Sequence, residues 1–141
     1  MNQPPQIVFF IDRALESKRL IQAMRLKGAA IETHQAHFRH DAYDIEWLPI
    51  VSKKGWVVLT QDVNLGKNQI ELTAIAKENT KVFILVSGNL GSQAITSVLT
   101  NILEKLEKFA LNNSAPFIAK IKDDGSITLW RNHHQLLKML S

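Results

Sequence analysis

Two rhythms of apolar residues alternate along the chain. Ile7–Ile11, Trp56–Thr60 and Val82–Val86 are nearly unbroken runs of β-branched, aromatic and aliphatic residues, the pattern of strands buried on both faces. Ser17–Lys27 instead places Leu20, Ile21, Met24 and Leu26 on one face and Lys18, Arg19, Arg25 and Lys27 elsewhere. That spacing predicts a helix, with Gly28 as its C-terminal cap. Ala30–His34 reads as a short second strand, and the stretch HQAHFRHDAYD after it, with no clear period, as a loop. A helix is expected from Asp44, with Asp44 as its N-cap, Pro49 tolerated near its first turns and Gly55 at its end.

Gln69–Glu78 is again helical in spacing, Gly88–Gly91 reads as a turn, and Gln93–Leu111 as the longest helix. Its core side carries Ile95, Val98, Leu99, Ile102, Leu103, Leu106 and Phe109 or Ala110. Strands alternating with helices predict a parallel α/β sheet with right-handed crossovers. After Pro116 the rhythm changes: Phe117–Ile121 and Ser126–Trp130 flank KDDG, a hairpin signal. The last ten residues, with Leu136, Leu137, Met139 and Leu140, predict a short helix or a partner-binding tail. With no linker or repeat, residues 1–141 are expected to form one domain, its core at about 7–130 and a tail at 131–141.

Composition narrows the chemistry. Cysteine is absent, which excludes disulfides, thiolate metal sites and cysteine nucleophiles. The net charge of +4 is compatible with a polyanionic partner without requiring one. The start MNQPPQIVFF has no basic stretch, and its apolar run is too short for a signal sequence or a membrane span. The expectation is a soluble cytoplasmic protein with no membrane partner.

Acids stand at the mouths of two of the apolar strands. Asp12 follows Ile7–Ile11, and Asp62 follows Trp56–Thr60 by two positions. Ligands of open parallel sheets gather outside the carboxyl ends of the strands. Asp44 and Glu46 open the helix leading into the third strand, so crossover geometry can bring one of them over the same edge. Two residues apart, they point to nearly opposite sides of a helix, so only one belongs to the site unless Asp44 lies just ahead of the helix. Taken singly, each acid is explained by a cap or a turn. Taken together, they repel one another unless a cation lies between them. An all-oxygen donor set favours Mg²⁺ or Mn²⁺ over zinc, in the service of water attacking a phosphodiester in line.

Other features carry less. His34, His37 and His40 recur every third residue but lack HExxH spacing, and His133-His134 reads as solvated. SGNLGSQ (Ser87 to Gln93) fits neither phosphate-loop pattern and reads as a turn. Arg13, Lys53, Lys54 and Lys67 are candidates for a basic rim along a nucleic-acid backbone.

In order and spacing, FFIDRAL, DIEWLPIVSKKGWVVLTQD, VFILVSGNL and PFIAKI resemble the PIN-like domain family, in the branch close to VapC-type toxins of toxin–antitoxin pairs. The resemblance runs from Ile7 to Trp130. It implies a three-layer α/β/α sandwich around a mainly parallel sheet, here with a C-terminal β-hairpin and a short tail helix. It also implies a Mg²⁺- or Mn²⁺-dependent endoribonuclease acting on RNA, an antitoxin as partner, and a homodimer as one assembly. Asp12, Asp44, Asp62 and Glu46 match the catalytic acids, with Asp12, Asp44 and Asp62 as metal ligands and Arg13, His37, Asn64 and Lys67 as candidate substrate contacts. The family often carries a further acid two residues after Asp62, where this chain has Asn64, so the site is weaker for a second metal or is completed by Glu71 or Glu16. The rival readings are a catalytically silent PIN-like module that binds RNA or protein, a receiver-like phosphoacceptor (which lacks its paired acid and its lysine here), and a purely structural protein assembled through its tail.

Overall fold

The computed structural model describes residues 6–87 and 89–141. Six strands form one sheet: β1 (Val8–Ile11), β2 (Ala30–Thr33), β3 (Val57–Thr60), β4 (Lys81–Leu85), β5 (Phe117–Ile121) and β6 (Ile127–Arg131). Their order is β2-β1-β3-β4-β5-β6. All neighbours pair in parallel except β5 with β6, which form the antiparallel C-terminal hairpin. Gly125, in the KDDG turn, has φ of 83°, a left-handed conformation that glycine adopts without a Cβ penalty.

Helices cover both faces of the sheet, because successive strand side chains point to opposite sides. Phe9, Ile11, Val57, Leu59, Phe83 and Leu85 share one core with α1 (Lys18–Leu26), α5 (Ser92–Asn101) and α6 (Leu103–Asn112). Phe10, Val58, Val82 and Ile84 share the other with α3 (Asp44–Lys53), α4 (Gln69–Glu78) and α7 (His133–Lys138). This is a three-layer α/β sandwich with a mostly parallel centre. Among the described residues no helix is long and apolar enough to cross a membrane.

Local chemistry sets the helix ends. Ser17 Oγ accepts from the Leu20 N–H at 3.1 Å to start α1, and Gly28, just past its end, has φ of 93°. The structure departs from expectation at three helices. The stretch expected as a loop after β2 contains one short turn of helix, α2 (His34–His37), because Thr33 Oγ1 caps it through the Ala36 N–H. The long helix is broken at Ile102, whose backbone leaves helical geometry (φ −107°, ψ 10°). Just ahead of the break, Thr100 Oγ1 donates back to the Thr96 carbonyl at 2.7 Å, a bond that competes with the helix and bends it. Asp44 is the first residue of α3 rather than its cap; Tyr43 holds the cap position.

The tail forms α7. It lies against α4, with Leu136 fully buried and Asn132 capping its start. Part of the turn expected at Gly88–Gly91 falls outside the described residues, since Gly88 does.

Candidate metal centre

The strand order makes β1 and β3 neighbours while the chain leaves β1 toward β2 on the other side. Crossovers from adjacent strands therefore diverge there, opening a crevice at the carboxyl edge where such sheets bind ligands. Asp12 leaves β1 at this edge and Asp62 leaves β3. The first turns of α3 and α4 are carried over it, bringing Asp44 and Glu71.

Asp12 is 2% exposed, and both of its carboxylate oxygens are engaged. Oδ1 accepts from the Arg13 N–H at 2.8 Å, and Oδ2 accepts from the Thr60 hydroxyl at 2.8 Å. The same Thr60 oxygen accepts from the Asp62 N–H at 3.0 Å. The Thr-x-Asp succession thus has a local cause: one hydroxyl ties the buried acid of β1 to the backbone of the acid after β3. Burial is the main reason the Asp12 carboxyl titrates above its ordinary range; the Thr60 bond opposes this and the charge of Asp44 adds to it.

Asp62 Oδ1 accepts from the Asn64 N–H at 3.0 Å and so caps a 3-10 turn, Val63–Gly66. Asp44 Oδ1 accepts from the indole N–H of Trp47 at 3.0 Å. Trp47 is fully buried and packs 5.0 Å from the ring of Phe10, so a core residue aims this carboxylate.

Glu71 lies in the first turn of α4. The helix is capped by Asn68, whose Oδ1 accepts from the N–H groups of Ile70 and Glu71 at 2.9 and 3.2 Å. In a capping box the Glu three residues after the cap bonds back to the cap N–H. Here that N–H already donates to the Asn64 carbonyl at 2.8 Å, which leaves the Glu71 carboxylate free for the crevice. Its Oε2 is buried without a hydrogen-bond partner. Burial first, then its contact with Asp44 and the charges of Asp44, Asp62 and Asp12, push the Glu71 carboxyl up to about 8.

One carboxylate oxygen each from Asp44, Asp62 and Glu71 lie within 4.8 Å of one another. This is the only such group of three ionisable ligand residues among the described residues. A proton between Glu71 and Asp44 relieves part of the repulsion at neutral pH; a cation would do so more completely, with an oxygen from each of the three acids within reach. The residues therefore fit a hard divalent ion with oxygen ligands.

The remaining candidate residues lie elsewhere. Glu46 is exposed, and its Oε2 accepts from the Tyr43 N–H at 3.1 Å, bracing the start of α3. It borders a depression of about 450 Å³ with His37, Arg39 and Tyr43 that contains none of the three acids. The Arg13 guanidinium donates to the carbonyls of His40 and, at 2.8 Å, Ala42, holding the loop ahead of Asp44. His37 Nε2 lies 2.6 Å from Glu32 Oε1, and its ring packs against Trp56. Glu16 accepts from the Gln35 N–H at 3.1 Å. Asn64 and Lys67 are exposed on and just after the turn that follows Asp62. Lys53 and Lys54 lie at the far end of α3, about 15 Å from its start by helical rise. The three loop histidines do not gather into a metal site.

A groove of about 230 Å³ opens between the starts of α3 and α4, lined by Arg13, Tyr43, Asp44, Ile45, Asn68, Ile70 and Glu71. It offers access to two of the three acids. The crossover geometry that brings the start of α3 over the sheet edge also brings the start of α4, the helix after the third strand. An acid in that first turn, behind an asparagine cap, is the signal that points to Glu71.

The PIN-like domain family model matches residues 7–87. The matched stretch runs from β1 through β4 and contains Asp12, Asp44, Asp62 and Glu71, and it ends before the C-terminal hairpin. No curated protein and no solved structure gives a significant match. With more than half of its 141 residues covered, a nuclease-type sheet and four acids at its carboxyl edge, the chain belongs to the PIN-like domain family.

Proposed function

We propose that the chain is a Mg²⁺- or Mn²⁺-dependent endoribonuclease of the cytoplasm, the toxin of a toxin–antitoxin pair, hydrolysing RNA phosphodiesters. PIN-like domains are generally nucleases that use divalent metals. The observation that carries the reading is the convergence of Asp44, Asp62 and Glu71 beside the buried Asp12. When bound, a divalent cation neutralises charge on the phosphate and makes water a stronger nucleophile.

The chain's own residues do the rest. Asp44, Asp62 and Glu71 would hold the ion, and Glu71 would have to give up its proton to do so. Trp47 keeps the Asp44 carboxylate turned inward through its N–H. Asp12, locked between Thr60 and the Arg13 backbone, adds fixed negative charge behind the three. The exposed Asn64 and Lys67 meet the substrate strand, and the lysine offsets phosphate charge. Arg13 orders the loop before Asp44 through Nη1, which donates to two carbonyls, while the guanidinium also borders the groove beside Asp44 and Glu71. Glu71 would supply the charge missing at Asn64, which supports the nuclease over a silent binding module.

The test is incubation of transfer RNA and total RNA with the protein in Mn²⁺, Mg²⁺ or EDTA, with Asp62→Asn as control. The reading predicts cleavage that requires metal and is lost in the variant. A folded wild-type protein that cleaves nothing with either metal would replace the nuclease with a binding module.

A further inference from the structure

Asp62 and Glu71 stand at the two ends of one short segment. Between them run the 3-10 turn Val63–Gly66 and the cap residue Asn68. The middle of that segment is pressed against the C-terminal hairpin. Gly66 is buried, and a Cβ added to it would lie 2.0 Å from Cζ3 of Trp130 and 2.6 Å from both Cε3 and Cη2. No side chain fits there, so the indole sits directly on the glycine backbone. The next residue adds a second tie, since Arg131 Nη2 donates to the Gly66 carbonyl at 3.2 Å.

Trp130 is itself held in place. Lys120 Nζ lies 4.1 Å from its ring centroid and the Arg131 guanidinium 5.5 Å. Its ring also packs against the core that contains Leu65 and Leu72, which flank Gly66 and Glu71. Clamping the middle of the segment limits how far either end can move, and groups that bond directly to metal-ligating side chains are worth about 10–100-fold in metal affinity.

We propose that Trp130, seated on Gly66, is a positioning residue that sets the separation of Asp62 and Glu71, so that β6, outside the family match at 7–87, is a working part of the metal centre. This rests on the reading of those acids as metal ligands, and the test separates the two. Mn²⁺ binding by calorimetry is measured alongside thermal unfolding for wild type, Trp130→Ala, Trp130→Phe, Gly66→Ala and the Gly66→Ala/Trp130→Ala double variant. Phe109→Ala is the control, because that ring packs with Phe83 and Phe117 on the opposite face of the sheet.

Trp130→Ala and Gly66→Ala are each expected to weaken Mn²⁺ binding by about tenfold or more, with Trp130→Phe in between. The double variant should bind no worse than either single one, because the space vacated by the indole accepts the alanine methyl. Phe109→Ala should unfold at lower temperature yet bind Mn²⁺ as wild type does. If wild type binds Mn²⁺ and the folded Trp130 and Gly66 variants bind it equally well, the positioning role is overturned while the metal reading stands. If wild type binds none, both are overturned.

Discussion

The hydroxyl of Thr60 donates to the carboxylate of Asp12 at 2.8 Å across the seam between β3 and β1. Both side chains are buried, so neither can turn to water instead. Replacing Thr60 with Val keeps the shape but leaves a buried carboxylate oxygen unpaired and removes the acceptor of the Asp62 N–H. We expect Thr60→Val to lose about 1–3 kcal/mol in urea unfolding, whereas Thr60→Ser, which keeps the hydroxyl, loses less. Equal stability of Thr60→Val and wild type would remove this bond from the account.

Trp47 connects the core to the site through a single N–H. Trp47→Phe preserves most of the buried ring and deletes the donor to Asp44. The expected result is Mn²⁺ affinity reduced about tenfold, with cleavage restored by raising the metal concentration. Lost activity that no metal concentration restores would mean that the indole acts on something other than Asp44.

The three close carboxylates make the metal-free protein sensitive to pH. Glu71 holds its proton up to about 8 in the folded state, against an ordinary value of 4.5. Between those values the folded state binds more protons than the unfolded chain, so stability falls as pH rises. His34, whose pKa is lowered chiefly by burial, acts in the opposite sense, but only below its ordinary value of 6.5. Between 6.5 and about 8 Glu71 should therefore contribute a loss of stability with rising pH, which Lys81, its pKa lowered by burial, opposes. The Glu71 part is the difference between wild type and Glu71→Gln. Glu71→Gln should flatten that slope, and saturating Mn²⁺ should abolish it. Urea midpoints across the interval decide the matter, and a slope unchanged by Glu71→Gln would contradict it.

Glu46 separates the site from its surroundings. Its carboxylate is spent on the Tyr43 N–H, so Glu46→Ala should fray the start of α3 slightly and leave metal-dependent RNA cleavage near the wild-type rate. Cleavage assays on Glu46→Ala and Asp44→Asn, run together, test this: only the second should be inactive.

Much of this architecture is legible in the chain itself. The strands announce themselves because parallel strands covered on both faces must be apolar throughout, and Asp12 and Asp62 stand out as acids that interrupt such runs. The break at Ile102 is hidden because apolar spacing continues through it, while the competing Thr100 hydroxyl leaves no mark on the pattern. In the sequence Glu71 is legible only as an alternative to Glu16 for completing the site, because an acid in the first turn of a helix is already explained by the helix dipole. Only the Asn68 N–H, satisfied by the Asn64 carbonyl, leaves its carboxylate free. Asp44 meets the Trp47 indole and Glu46 the Tyr43 N–H, a difference of three-dimensional neighbours that the sequence does not display. The seating of Trp130 on Gly66 joins positions far apart in sequence, and no local spacing announces it.

Whether Asp44, Asp62 and Glu71 together hold one divalent ion is decided by calorimetric titration of Mn²⁺ into wild type and Glu71→Gln. Wild type should bind Mn²⁺ saturably and release a proton near neutral pH, with binding to Glu71→Gln at least about tenfold weaker and no proton released from that position. Equal Mn²⁺ affinity in the two proteins, or no binding to folded wild type, would contradict it.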